Sequence, residues 1–344
     1  MKSVLYITLL LFITSSLSAS EPDTLFRSDK ILRMELRADF TAIQKDRGET
    51  PVYHEAELIY KGDDRKTVTL PLRIMVRGNF RRNPENCDFP PLFVNFKKSD
   101  VHNTLFEDQD KLKLVTPCQD DEYVIEEYVI YKMYNRVTDL SLHVRLIKIA
   151  YYDTGLKKEL FEKFSFFLED KDHAAKRNNA VVKDNFLTPF DLERENFKRL
   201  SMFQYLIGNK DWFVSSRKNI IIFQPKDSTL APYSVPYDFD FSAFVNASYT
   251  KPRDKIQYFP ESRREYKGLC YSESEYNEVF DFYRELRPDF YKIIRKHGYI
   301  SVEINNKITD YINQFYNGIK NKDFVKKEFM DKCETKKMYN ISEI

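Results

Sequence analysis

The chain has 344 residues, of which 42% are hydrophobic and 15% aromatic, which provides enough apolar surface for one large domain or two smaller ones. Fifty-five basic residues nearly balance 53 acidic ones, so the chain lacks the positive excess typical of a dedicated nucleic-acid-binding protein. We therefore expect no nucleic-acid partner.

The first twenty residues have the layout of a secretory signal peptide. Lys2 provides a positive start, residues 4–14 form an apolar run, and Ser18-Ala19-Ser20 offers small residues for cleavage. The run is too short to span a bilayer, and no later segment approaches the ~18 apolar residues of a membrane helix. We expect residues 1–20 to be a signal peptide and the mature chain to be exported, periplasmic or extracellular, without a transmembrane segment.

Four cysteines follow the predicted signal peptide: Cys87, Cys118, Cys270 and Cys333. In an oxidising compartment they can form two disulfides, with three possible pairings. No CxxC spacing is present and the chain has only five histidines, so a structural zinc site is not expected. We predict that the cysteines are structural and not catalytic.

The first half of the mature chain alternates like an antiparallel sheet. Apolar residues at every second position predict strands over residues 32–40 and 68–76. A hairpin-like turn follows at Arg77-Gly78-Asn79, and residues 92–96 and 111–115 are predicted as two further strands. The pair Pro90-Pro91 prevents the first of these from beginning earlier.

The next segment begins with a helix and then returns to strands. Residues 122–136 form a long, aromatic-rich stretch with no Gly or Pro, which predicts a helix. Strand patterns follow over residues 142–151 and 164–168. The polar residues 169–185 predict a loop.

The second half of the chain is mainly helical. Thr188-Pro189 is typical of a helix start, and Gly208 of a helix end. Residues 219–223, Asn219 followed by the apolar run of residues 220–223, predict a buried strand. Further helices are predicted over residues 276–297, 302–316 and 324–332. The whole pattern predicts an α+β fold, with a β-rich lobe over residues 21–185 and a mainly helical lobe over residues 186–344.

Chemically informative residues follow one another in the second lobe. Asp211, Asn219, a hydrophobic strand and Asp238-Phe239-Asp240 place three carboxylates and an amide near the ends of adjacent apolar elements. Such groups suit a divalent metal on a triphosphate and an attacking hydroxyl. Protein kinases present a catalytic Asp, a metal-binding Asn, a hydrophobic strand and a D-F-G turn in this order. Here Asn219 lies eight residues after Asp211, no His-Arg precedes Asp211, and Asp240 replaces Gly.

With these departures the chain resembles the atypical kinases of the spore-coat CotH family. In that family an R-G-N turn after a strand precedes a long helix, and an aromatic D-x-D turn follows late, as they do here over about residues 65–300. The Lys-rich segment that usually follows the turn is replaced by Phe89-Pro90-Pro91-Leu92. The resemblance implies a two-lobed protein-kinase-like fold with an antiparallel N-terminal lobe. It also implies transfer of phosphate from ATP or another nucleotide, with Mg²⁺ or Mn²⁺, to a hydroxyl acceptor such as a protein.

The resemblance assigns roles to the residues of the second lobe. Asp211 is expected to orient the acceptor hydroxyl and take its proton. Asn219 and Asp238 are expected to hold Mg²⁺, with Asp240 as a second candidate. In an extended segment Asp238 and Asp240 would point the same way, and adjacent carboxylates favour a bound cation.

The first lobe is expected to hold the phosphates. Lys113 would meet them and pair with Glu127 on the predicted helix, for which Glu126 is the rival. A G-x-G-x-x-G loop is absent. The turn Arg77-Gly78-Asn79, followed by Arg81 and Arg82, is the stretch that could replace it, through backbone amides and guanidinium groups.

Structural interpretations stand beside these roles. Asp211 could be a solvated turn residue, Asn219 a loop terminator, Lys113 part of a solvated strand face, and Glu127 or the arginines ordinary surface charges. A second hypothesis is therefore a catalytically silent kinase-like module that binds an envelope or extracellular partner. A third is a metal-dependent hydrolase, although the histidines that such sites recruit are scarce.

Overall fold

The computed structural model of the protein describes residues 23–62, 64–250, 264–296 and 298–339. The predicted signal peptide, residues 1–20, and the predicted helix end at His297 lie outside these ranges. Within them the fold is α+β, as the sequence predicts. Strands predominate before residue 185 and helices after it.

The strands of the N-terminal part close into a barrel. The order of the strands around the barrel is β1-β2-β3-β4-β5-β7-β6. The neighbouring strands are antiparallel, except that β1 and β6 pair in parallel, with Leu32 opposite Ile147, and thereby close the sheet and remove its free edges. The strands are β1 (Leu32–Ala38), β2 (His54–Lys61), β3 (Thr67–Val76), β4 (Leu92–Phe96), β5 (Lys111–Val115), β6 (Val144–Asp153) and β7 (Lys158–Leu168).

Side-chain alternation fills the barrel. Every second residue of β1 and of the second half of β3 is buried, because successive side chains of a strand point to opposite faces. The core inside the barrel includes Leu36, Ile74, Leu114 and Phe167. The predicted strands occur in the structure, except that Phe40, predicted to end the first strand, begins a short helix. Strand β2 is not among the predicted strands, although Ala56, Leu58 and Tyr60 alternate in the same way.

One helix packs between the barrel and the C-terminal helices. Helix α1 (Phe40–Lys45) is short, whereas α2 (Asp121–Val137) extends the predicted helix by one residue at each end. Asp120 caps α2 by accepting a hydrogen bond from the Glu122 amide at 3.0 Å. Most of α2 is buried, since it contacts β7 on one side and the later helices on the other.

The loop predicted over residues 169–185 is wrong. This segment forms α3 (Lys171–Arg177) and β8 (Ala180–Lys183). Asp170 caps α3, and β8 pairs with β9 (Ile220–Pro225), which pairs in turn with β10 (Tyr233–Pro236). The polar composition was misleading because α3 exposes its charged face and β8 is an edge strand.

The helix predicted to begin at Thr188 begins later. Thr188 and Asp191 form a capping box, but it caps only a 3-10 turn, Pro189–Asp191. Leu192 is extended, and α4 (Arg194–Ile207) starts anew with the Glu193 carboxylate as its cap. The predicted end is confirmed: Gly208 adopts the left-handed conformation, with φ of 65°.

Three helices complete the described chain: α5 (Glu273–Lys296), α6 (Val302–Gly318) and α7 (Lys322–Val325), the last continuing into a π-helical turn, Lys326–Met330. The disulfides are Cys87–Cys118 and Cys270–Cys333, which confirms the predicted structural role of the cysteines. None of the helices in the described ranges combines the length and apolar character needed to cross a membrane.

Candidate active site

A cavity of about 610 Å³ lies where the barrel, α2 and the second sheet, formed by β8, β9 and β10, meet. Segments that are far apart in sequence contribute its walls: the connection after β3, strand β5, helix α2, the loop after α4 and the turn after β10. Its volume is within the usual range of small-molecule sites. Arg82 and Glu126 do not line it, whereas nine of the candidate residues predicted from the sequence do: Arg77, Gly78, Asn79, Lys113, Glu127, Asp211, Asn219, Asp238 and Asp240.

A buried arginine occupies the inner wall of the cavity. Arg81 Nη1 lies 4.0 Å from Glu127 Oε2 and 4.0 Å from Asp240 Oδ2. The Arg81 side chain is 11% exposed, and the two carboxylates are 3% and 5% exposed. Arg81 Nη2 also donates a hydrogen bond to the carbonyl of Thr116. The guanidinium therefore partly compensates two carboxylates that are withdrawn from water.

Both buried carboxyl groups hold protons more tightly than usual. Burial, and then the negative charge of Asp238, raise the pKa of Asp240 to about 7. Burial, and then the charges of Asp240 and Asp238, raise the pKa of Glu127 well above its ordinary range. The Tyr249 hydroxyl donates to Asp240 Oδ2 at 3.1 Å and favours the ionised form of Asp240. Groups with such shifts in a cleft are typical of functional sites.

The Asp238-Phe239-Asp240 turn is held by its backbone. The Asp238 amide donates to the Tyr131 hydroxyl at 2.8 Å, and the Phe239 amide donates to Glu127 Oε1 at 3.4 Å. The Phe239 ring is fully buried and lies 4.8 Å from the Tyr131 ring. The segment is not extended as predicted, because Asp238 has a φ of 63°. As a result Asp238 is exposed to the cavity while Asp240 faces the buried arginine.

The loop after α4 presents Asp211. The Asn209 side chain accepts a hydrogen bond from the Asp211 amide at 2.9 Å. Asn219 Nδ2 donates to the Asp211 carbonyl at 2.7 Å and to Asp211 Oδ2 at 3.1 Å, and Lys218 forms an ion pair with Oδ1. The Asp211 side chain is 27% exposed. Asp211 is thus an oriented carboxylate that still reaches solvent.

Lys113 does not form the predicted pair with Glu127. Its Nζ lies over the Tyr237 ring, 4.8 Å from the centroid, and within the described ranges the cation beside Glu127 is Arg81. Burial, and then the positive charge of Arg77, lower the pKa of Lys113 to about 8. Lys113 therefore remains mostly protonated at neutral pH and is a cation in the cavity wall.

The connection that begins with Arg77-Gly78-Asn79 is longer than a hairpin turn. Gly78 has a φ of 82°, which glycine adopts without strain, and β4 begins only at Leu92. Arg77 Nε is buried without a hydrogen-bond partner among the described residues. Arg82 turns away and donates to the carbonyl of Glu49 at 3.4 Å.

The two glutamates of α2 occupy different surroundings. Glu127 lines the cavity, whereas Glu126 does not. Burial, and then the charge of Glu122, raise the pKa of Glu126 well above its ordinary range. The geometry therefore selects Glu127 over its rival as the cavity residue.

The residues fit a metal only in part. Within the described ranges, no three or more His, Cys, Asp or Glu side chains are grouped closely enough to hold a metal ion. Mg²⁺, however, is usually bound through one or two carboxylates, waters and substrate phosphates. The exposed Asp238 and the partly exposed Asn219 can supply ligands of this kind.

Some residues of the site were not assigned from the sequence. The sequence indicates Arg81 only as a possible phosphate ligand, because its position between two carboxylates depends on the tertiary fold. Lys218 directly precedes Asn219, and this adjacency was an available signal for a contact with Asp211. The rings of Phe80 and Phe241 lie 5.3 Å apart at the cavity wall, and no periodicity distinguishes them from core aromatics.

Comparisons with known proteins leave the family open: no protein-family model matches the chain, and no curated protein matches it. Membership of the CotH-like kinases stays a prediction.

Proposed function

We propose that the protein is an exported atypical kinase of CotH-like type, which transfers phosphate from ATP or another nucleotide to a hydroxyl acceptor with Mg²⁺ or Mn²⁺. The observation that carries the proposal is the convergence of nine candidate residues from five chain segments on one cavity. The order of motifs along the chain indicates these residues independently of their distances in the fold.

In the proposed reaction Asp211 orients the acceptor hydroxyl and accepts its proton. The hydroxyl oxygen forms a bond to the γ-phosphorus, the bond from that phosphorus to the bridging oxygen breaks, and the nucleoside diphosphate leaves with the bonding electrons. A bound divalent cation would neutralise charge on the phosphate oxygens. Asn219 and Asp238 would hold that cation, with Asp240 as a further ligand after it loses its proton.

The cations on the opposite wall would bind the phosphates. Arg77 and Lys113 both line the cavity, and Arg77 has a buried donor without a partner in the described chain. A phosphate oxygen would satisfy that donor with a charge-assisted hydrogen bond. Gly78 and Asn79 would contribute exposed backbone amides. Arg81 would take the place of the predicted lysine as the partner of Glu127.

The proposal includes a two-lobed kinase-like arrangement and export from the cytoplasm. A β-rich part with one long helix, followed by a mainly helical part, supports the first. Two disulfides support the second, since such bonds persist in oxidising compartments. ATP is scarce outside the cytoplasm, so the donor of an exported kinase needs a separate supply.

A second candidate is a catalytically silent kinase-like module that binds an envelope or extracellular partner. One arrangement favours it: Lys218 and Asn219 both engage the Asp211 carboxylate. Both carboxylate oxygens of Asp211 thus already accept a hydrogen bond from this chain, which competes with an acceptor hydroxyl.

Nucleotide binding by residues 21–344 tests the proposal. We expect ATP with Mg²⁺ or Mn²⁺ to raise the melting temperature, since a ligand at a hundredfold excess over its dissociation constant adds about 2.7 kcal/mol of stability. Asp238→Ala should abolish the metal-dependent shift, whereas Asp211→Ala should keep it and lose phosphate transfer to any acceptor. Arg82→Ala, whose guanidinium faces away from the cavity, is the control that should bind normally.

The absence of a shift with every nucleotide tested, in protein that melts cooperatively, would contradict the kinase assignment. It would favour the silent module. Binding without any phosphate transfer, including to the protein itself, would lead to the same conclusion about catalysis.

A further inference from the structure

The connection between β3 and β4, residues 77–91, forms one wall of the candidate site. Arg77, Arg81 and Pro91 all line the cavity. From Arg77 to Asn86, however, no hydrophobic side chain is buried, and Phe80 is 39% exposed. Because this part of the connection buries no hydrophobic side chain of its own, other contacts must determine its position.

A disulfide anchors the end of this exposed segment. Cys87 is fully buried and is bonded to Cys118, with 4.7 Å between their Cα atoms. Cys118 lies between the end of β5 and the start of α2. The bond therefore links the arginine-bearing connection to the two elements that carry Lys113 and Glu127.

Hydrogen bonds reinforce the same junction. Gln119 Nε2 donates to the carbonyl of Asn86 at 3.0 Å. Arg81 Nη2 donates to the carbonyl of Thr116, and Arg47 Nη1 donates to the carbonyl of Cys87 at 2.7 Å. These contacts attach the middle and the C-terminal end of the exposed segment to residues 116–119 and to Arg47, which follows α1.

We propose that the Cys87–Cys118 junction, the disulfide together with the Gln119 hydrogen bond, positions Arg77 and Arg81 for nucleotide binding. The junction does not contact the ligand. It keeps the exposed segment ordered before binding, so that the ligand need not supply the free energy of ordering it. The ligand in this inference rests on the proposed function, whereas the ordering of the segment does not.

The second disulfide provides a matched control. Cys270 and Cys333 lie outside the cavity lining, so Cys270→Ala/Cys333→Ala removes a covalent link without altering the arginine-bearing segment. We expect Cys87→Ala/Cys118→Ala to weaken binding of ATP with Mg²⁺, measured by titration calorimetry, about tenfold or more, equivalent to the loss of one charge-assisted hydrogen bond. The control should bind within about twofold of the wild-type protein.

Amide hydrogen exchange tests the ordering independently of function. Exchange of residues 77–86 should accelerate in Cys87→Ala/Cys118→Ala and remain unchanged in the control. Equal ATP affinities in the two double variants, or unchanged exchange in residues 77–86, would overturn the proposal. If the wild-type protein binds no nucleotide, the proposed function fails, and exchange alone decides whether the junction orders the segment.

A variant that keeps the disulfide guards against loss of folding. Gln119→Ala removes the hydrogen bond to Asn86 and the one that Gln119 accepts from the Ser248 hydroxyl. Only the first of these holds residues 77–86, so the variant should accelerate exchange there by about fivefold, the effect of one ordinary hydrogen bond. Should the double variant fail to fold, unchanged exchange in Gln119→Ala would refute the role of the junction.

Discussion

Arg81→Met should destabilise the protein more at high pH than at low pH. Arg81 lies beside two carboxyl groups whose pKa values are raised by burial, that of Asp240 to about 7. Because these folded-state pKa values exceed those of the unfolded chain, the folded state binds more protons, and stability falls as the pH rises through them. Arg81 opposes this loss by favouring the ionised carboxylates.

The magnitude follows from burial and distance. Removing one partner of a buried ion pair costs about 3–5 kcal/mol, and the 4.0 Å separations here place the loss at the lower end. We expect a loss of about 3 kcal/mol at about pH 8. At about pH 5.5, below the pKa of Asp240, that carboxyl group is mostly protonated. The loss then falls towards the value of the hydrogen bond to the Thr116 carbonyl, about 1 kcal/mol.

Urea unfolding monitored by tryptophan fluorescence provides the assay, since Trp212 is the only tryptophan of the chain and is 2% exposed. Arg82→Met is the control, because among the described residues Arg82 donates one long hydrogen bond, to the carbonyl of Glu49 at 3.4 Å; it should change stability by less than about 0.5 kcal/mol. Equal losses of stability for Arg81→Met at both pH values, or a loss no larger than that of Arg82→Met, would refute the interaction of Arg81 with the carboxylates of Glu127 and Asp240.

Two further predictions concern the scaffold. Gly208→Ala should reduce the free energy of unfolding by about 2 kcal/mol or more, because Gly208 has a φ of 65° and an added Cβ would collide with the Tyr311 hydroxyl. Gly48→Ala is the control, since an added Cβ there meets nothing within 4 Å, and it should not destabilise the protein. Similar urea midpoints for the two variants would contradict this prediction. The hydrogen bond to Asp23 raises the pKa of His173, so this ion pair stabilises below the ordinary histidine pKa and weakens as the pH rises through the raised value. His173→Ala should therefore reduce the free energy of unfolding, measured with urea, by about 1 kcal/mol or less at about pH 6, and by less at about pH 9. A larger reduction at the higher pH would exclude the assignment.

Periodicity predicted most strands and helices because it reflects burial on one face. The strands over residues 92–96 and 111–115 occur at the predicted positions, and α2 differs by one residue at each end. Prediction failed over residues 169–185, where short elements with charged faces look like a loop. It also failed at Thr188. Thr188 does cap a helical segment, as predicted, but that segment is a single 3-10 turn and not the long helix.

The sequence by itself determined the α+β class, the residue types of the candidate site and the order in which they follow one another. It could not determine that Arg81 and not Lys113 lies beside Glu127, nor which of three pairings the cysteines adopt. It also suggested an extended backbone at Asp238, where φ is positive. These features depend on distances between segments that are remote in sequence, and local periodicity carries no information about such distances. Only the packing of the barrel against α2 and the second sheet decided them.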